Sequence, residues 1–105
     1  MNVDCIIKGG IVVLPGKDTV RCDVLIKDGT VVDLALDHDT SADRVIDATG
    51  LHVLPGLIDP HVHLDVIYPK IDQLHHETRS ALRGGITTLG AMCWSEEGDS
   101  LEETS

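Results

Sequence analysis

Four side chains able to hold or orient a metal ion recur at every second position in Leu57-Ile58-Asp59-Pro60-His61-Val62-His63-Leu64-Asp65. Alternate residues of an extended strand share a face, which groups Asp59, His61, His63 and Asp65 on one side and Ile58, Val62, Leu64 and Val66 on the other. The stretch therefore reads as a strand with one apolar face and one face of imidazoles and carboxylates. Two histidines two apart stand roughly 6–7 Å apart at Cα, so both rings can converge on one cation. The spacing alone is weak, because six histidines shuffled through this length produce about 0.3 such pairs by chance. Its setting strengthens it: a Pro55-Gly56 break precedes the strand, and two carboxylates in phase can orient or bridge ligands. The competing reading is a solvated polar face on an edge strand.

Other reactive residue types read more plainly. His75 and His76 are adjacent, so on a helix they point about 100° apart and cannot chelate as an i, i+4 pair would. His52 in a strand and His38 in an acidic turn read as structural or exposed. Cys93 reads as a buried, inert thiol near the end of a strand, although it could border a site there, and Trp94 as packing or a pocket wall. Asp33, Asp37, Asp39, Asp43 and Asp47 lack the glycine and closing glutamate of a calcium loop and form an acidic edge. Gly9-Gly10 and Gly84-Gly85 lack the residues that would make a phosphate cradle and read as turns.

The elements that must position the histidine pair follow from periodicity. Cys5 to Leu14, Val20 to Lys27, Thr30 to Leu36, Arg44 to Ile46 and His52 to Leu54 are short β-branched runs separated by turn residues. Asp28-Gly29 between two of them predicts a two-residue hairpin. Residues 1–54 thus read as a small antiparallel β-module. From Pro55 the pattern changes: a strand over Leu57 to Val66, a helix over Leu74 to Arg83 stopped by Gly84-Gly85, and a buried strand over Ile86 to Met92. Strand, helix, strand implies a parallel pair with a right-handed crossover. Ser100-Leu101-Glu102-Glu103 resembles a capping box with almost no chain behind it, which suggests truncation.

Composition narrows the classes of function. With 18 acidic against 8 basic residues, the chain of 105 residues carries a formal charge of −10, which repels phosphate backbones and anionic lipid surfaces. One Trp, one Tyr and no Phe leave little to stack on nucleobases. Neither nucleic acid nor membrane is an expected partner. Three cysteines without a CxxC spacing argue against a disulfide framework and for a reducing, cytoplasmic setting.

Ile6-Ile7-Lys8-Gly9-Gly10, Val24-Leu25-Ile26-Lys27-Asp28-Gly29, Val45-Ile46-Asp47-Ala48-Thr49-Gly50, Pro55 through Leu64, and Gly84-Gly85-Ile86-Thr87-Thr88 occur in that order. This series resembles the opening of a cyclic amidohydrolase, the family of hydantoinase or dihydropyrimidinase, allantoinase and dihydroorotase. The resemblance implies an α/β fold, a metallo-dependent (β/α)8 TIM barrel preceded by a small antiparallel β-sandwich. Residues 1–54 would then be the N-terminal sandwich portion, and residues 55–105 the first βαβ unit of a barrel truncated after its second strand. It implies a zinc-dependent enzyme, binuclear at full length, that hydrolyses a C–N bond in a small cyclic amide.

His61 and His63 match the family's two metal ligands at the end of the first barrel strand. Asp59 matches a supporting residue beside the pair. Asp65 stands where dihydroorotase-like members place an arginine for the substrate carboxylate, and an aspartate cannot make that paired contact. The residue therefore favours a hydantoinase-like substrate, with allantoinase or dihydroorotase as the alternative. No catalytic residue is expected within the chain, and Lys70 falls too early to be a bridging lysine. The full-length form is expected to be a homo-oligomer. Two strands cannot close a barrel that needs about 250 residues, so the fragment is expected to be inactive alone, and a noncatalytic β-module or assembly partner is the reading from another class.

Overall fold

Before Pro55 the β-branched runs form five strands: β1 (Asn2–Val13), β2 (Thr19–Lys27), β3 (Thr30–Ala35), β4 (Ser41–Asp47) and β5 (His52–Val53). The computed structural model describes residues 2–64 and 70–92, and the chain divides between Pro55 and Gly56 into two units. The capping-box segment, Cys93, Trp94 and Asp65 lie outside the described residues.

In the first unit the strand order is β3-β2-β1-β4, with β5 also pairing with β1. The β2–β3 hairpin turns on Asp28 (φ 50°) and Gly29 (φ 71°), the two positive φ values that a type I′ turn needs. The expected antiparallel module is corrected to a mixed sheet. β1–β2 and β2–β3 are antiparallel, but β4 and β5 both run parallel to β1. β3 lies at one edge, so the chain must cross before β4 opens at Ser41 beside Asn2 on the far side of β1. β1 is 12 residues long, enough to pair β4 along its first half and β5, through Ile11 and Val12, near its end. Alternation in the sequence marks a strand but carries no information about its neighbour or direction.

Residues of β1 and β2 fill two apolar clusters. Val3, Ile6 and Leu25 form one, with Ala35 and Ala42 packed against it; Val12, Cys22 and Val24 form the other, with Ile7, Leu14 and Val20 around it. Aliphatic side chains and one cysteine supply both, with no aromatic ring in either, as the scarcity of aromatics required.

The ladder between β1 and β2 slips between Ile7 and Gly10, where three steps on β1 face two on β2. Gly9, at φ 71°, occupies this bulge, and its amide donates to Asp23 Oδ1 at 2.7 Å. The other oxygen of Asp23 meets His38 Nε2 at 3.1 Å, while His38 Nδ1 accepts from the Thr40 amide at 3.2 Å. Since Nδ1 accepts, the network assigns the ring proton to Nε2. His38 is thus a structural residue that ties the crossing segment to β2.

In the second unit, β6 (Leu57–Val62), α1 (Lys70–Arg83) and β7 (Ile86–Ala91) form the expected strand–helix–strand, and β6 runs parallel to β7. β6 stops at Val62 rather than continuing to Val66, and α1 begins at Lys70, four residues before the expected start. Gly85 (φ 85°) ends α1, with the Gly84 amide donating to Ser80 O at 3.1 Å.

Candidate metal centre

The histidine pair sits where β6 departs from regular pairing. Ile58 pairs with Thr88 and Asp59 with Leu89, yet the next pair is Val62 with Ala91, so three steps on β6 face two on β7. Pro60 has no amide hydrogen for a ladder. The amide of His61 donates to Asp59 Oδ1 at 3.1 Å. Regular bonding resumes where the Met92 amide donates to Val62 O at 2.8 Å. One surplus residue interrupts strand alternation between Asp59 and Val62, while His61 and His63, two apart, still come together. Asp59, half-buried, instead engages the pair through the backbone of His61.

His61 and His63 are both exposed, their ring centroids 4.9 Å apart and their planes inclined by 61°. Their Nε2 atoms stand 3.0 Å apart, a distance at which one ring donates to the other. Two imidazole nitrogens bound tetrahedrally to one zinc at about 2.0–2.1 Å stand roughly 3.3–3.4 Å apart. The observed separation falls a few tenths of an ångström short of that value, so a pair of imidazoles placed this way fits one zinc ion. Zinc takes four ligands, and among the described residues no third His, Cys, Asp or Glu gathers with the pair.

The remaining candidates lie elsewhere. His75 and His76 are exposed on α1, and His52 is exposed on β5. Cys22 is buried in the first unit, where desolvation, reinforced by the negative charge of Asp23, raises its thiol pKa. Sequence reasoning missed Pro60 and Gly90 as parts of the site. A Cβ built on Gly90 would lie 2.7 Å from Pro60 O and 2.9 Å from Pro60 C. A proline and a glycine inside adjacent strand patterns were the available signals, since both mark bulges and close backbone approach.

No protein-family model matches the chain. It is 38% identical over 101 residues to a D-hydantoinase from Geobacillus stearothermophilus, covering 93% of this chain and 21% of that protein. It is 42% identical over 90 residues to a dihydroorotase from Ruminiclostridium cellulolyticum, covering 83% of this chain and 21% of that one. Among solved structures, a D-hydantoinase from Bacillus sp. AR9 superposes with a TM-score of 0.78 at 35% identity, over 96% of this chain and 22% of the other. The chain spans about a fifth of the length of these relatives.

Proposed function

We propose, from the kinship of this chain with the cyclic amidohydrolases, that it forms the metal-holding first strand of an enzyme that hydrolyses ring amide C–N bonds. The observation that carries this reading is the convergence of His61 and His63 at the C-terminal end of a strand parallel to its neighbour. Barrel enzymes place their chemistry at that end. β6, α1 and β7 then serve as the first βαβ unit of a barrel, and the earlier strands as part of a β-sandwich. An open apolar groove lined by Ile7, Val24, Ile26, Val31, Leu34 and Leu54 supports the second assignment, because it offers a face for another sheet.

In this reading His61 and His63 each offer Nε2 to zinc, and Asp59 holds the backbone of His61 in place. A metal held by these two histidines would supply Lewis acidity toward the scissile carbonyl and would lower the pKa of water, so that hydroxide is available near neutral pH. Asp65, lying just beyond the pair in sequence, disfavours an anionic ring such as dihydroorotate, which leaves neutral rings of the hydantoin and dihydrouracil type as the preferred substrates.

A chimera tests this: the chain replaces the segment it matches in the Geobacillus stearothermophilus D-hydantoinase. Hydrolysis of hydantoin or dihydrouracil is expected, with little on dihydroorotate, and loss of activity in His61→Ala and His63→Ala. A folded chimera whose activity survives both substitutions would refute the ligand roles.

A further inference from the structure

We propose that Gly90 is a positioning residue for the His61–His63 pair: its missing side chain seats the Pro60 bulge that decides where the His61 imidazole leaves β6. The role presupposes that the pair holds a metal. Gly90 does not have a positive φ, so the backbone conformation does not demand glycine there. Space does. The three atoms nearest a Cβ at this position are Pro60 O at 2.7 Å, Pro60 C at 2.9 Å and Pro60 Cα at 3.1 Å, all backbone and unable to rotate aside.

The ladder leaves the bulge with little else to hold it. Pro60 has no amide hydrogen, and the amide of His61 is turned to Asp59 Oδ1. On either side β6 is fixed to β7, by the Asp59–Leu89 pair and by the Met92 amide on Val62 O. A side chain at position 90 must therefore push residues 60 and 61 outward while leaving Val62 anchored. His63 follows Val62, whereas His61 belongs to the displaced segment. The displacement falls on the separation of the two Nε2 atoms, 3.0 Å in this structure. Misplacing one ligand by a fraction of an ångström weakens a metal site even when the fold survives.

The test titrates zinc calorimetrically, and cobalt(II) by its visible spectrum, into the full chain and its Gly90→Ala, Pro60→Ala, His61→Ala and Gly90→Ala/His61→Ala variants. Gly90→Ala is expected to weaken zinc binding about 10-fold or more, with an unchanged far-ultraviolet circular dichroism spectrum and an altered cobalt spectrum. In the His61→Ala background the same substitution is expected to change nothing further, because a positioning role acts only through the ligand it positions. A folded Gly90→Ala chain that binds zinc as the parent does would overturn the proposal and leave the metal reading intact. Parent binding indifferent to His61→Ala would overturn the metal reading itself. Should Gly90→Ala not fold, Pro60→Ala decides: it returns an amide hydrogen that lets the strand flatten, so weakened zinc binding supports the role and unchanged binding refutes it.

Discussion

Among the ladder irregularities of the described strands, β1 at Gly9 and β6 at Pro60 each carry one residue more than the facing strand, and at both an aspartate takes up an amide. In β1 the bulge at Gly9 is closed from the neighbouring strand by Asp23, whose second oxygen also holds His38 and through it the crossing segment. In β6 the bulge at Pro60 is closed within the strand by Asp59, and the residue it governs is an exposed histidine. The first device lies in the unit that holds seven of the eight buried apolar residues described, all but Leu64. The second lies in a two-stranded sheet whose Leu57 and Ile58 are 55% and 69% exposed. The same local geometry thus serves assembly where apolar burial surrounds it and, in the proposed function, ligand placement where it does not.

The largest expected effect sharpens that division. Leu25→Ala removes a fully buried side chain from the first core and is expected to cost about 2–5 kcal/mol in urea unfolding, whereas Ile58→Ala should stay within about 0.5 kcal/mol. Equal costs would break the contrast. Next, Asp23→Ala leaves the Gly9 amide and His38 without their acceptor and should destabilise by about 1–3 kcal/mol. Asp59→Ala should instead lower zinc affinity, read by titration, with only a small change in the unfolding midpoint.

A smaller effect concerns thiol chemistry. Burial raises the Cys22 pKa, so Cys22 should stay unalkylated in the folded chain while the more exposed Cys5 reacts, as peptide mass mapping would report. Fast labelling of Cys22 would mean that the cluster of Val12, Cys22 and Val24 opens readily.

The smallest concerns Asp47, whose pKa is lowered by hydrogen bonds from the side chain and then the backbone of Thr49, with a lesser contribution from Lys8. A carboxylate with a depressed folded pKa contributes stability above its unfolded value, near pH 4, and loses it as pH falls through the folded value. Asp47→Asn should therefore lower the melting temperature slightly at neutral pH and not at all in strong acid. The side chain is exposed, so added salt should shrink the difference.

Much of this architecture was legible in the residues. Val24-Leu25-Ile26 and Thr30-Val31-Val32 around Asp28-Gly29 specify a hairpin because β-branched alternation and paired positive φ are local properties. Lys70–Arg83 was readable as a helix, with only its first turn missed. The parallel pairing of β4 with β1 was not, since Ser41–Asp47 would alternate the same way against any neighbour. At the site, His61 and His63 were legible from spacing, while the bulge beneath them was not, because a period of two cannot register one surplus residue. Pro60 and Gly90 hinted at it separately, but only their juxtaposition across two strands gives either a meaning.

By itself, then, the sequence determined which segments extend or coil, where the chain turns, and which two imidazoles lie near enough to share one ion. Those are consequences of backbone sterics and side-chain period over a few residues. The tertiary structure alone decided the direction of β4, the tie from His38 to Asp23, and the seat of Pro60 on Gly90. Each joins positions 15 or more residues apart, where the outcome depends on which surfaces meet and no local pattern records it.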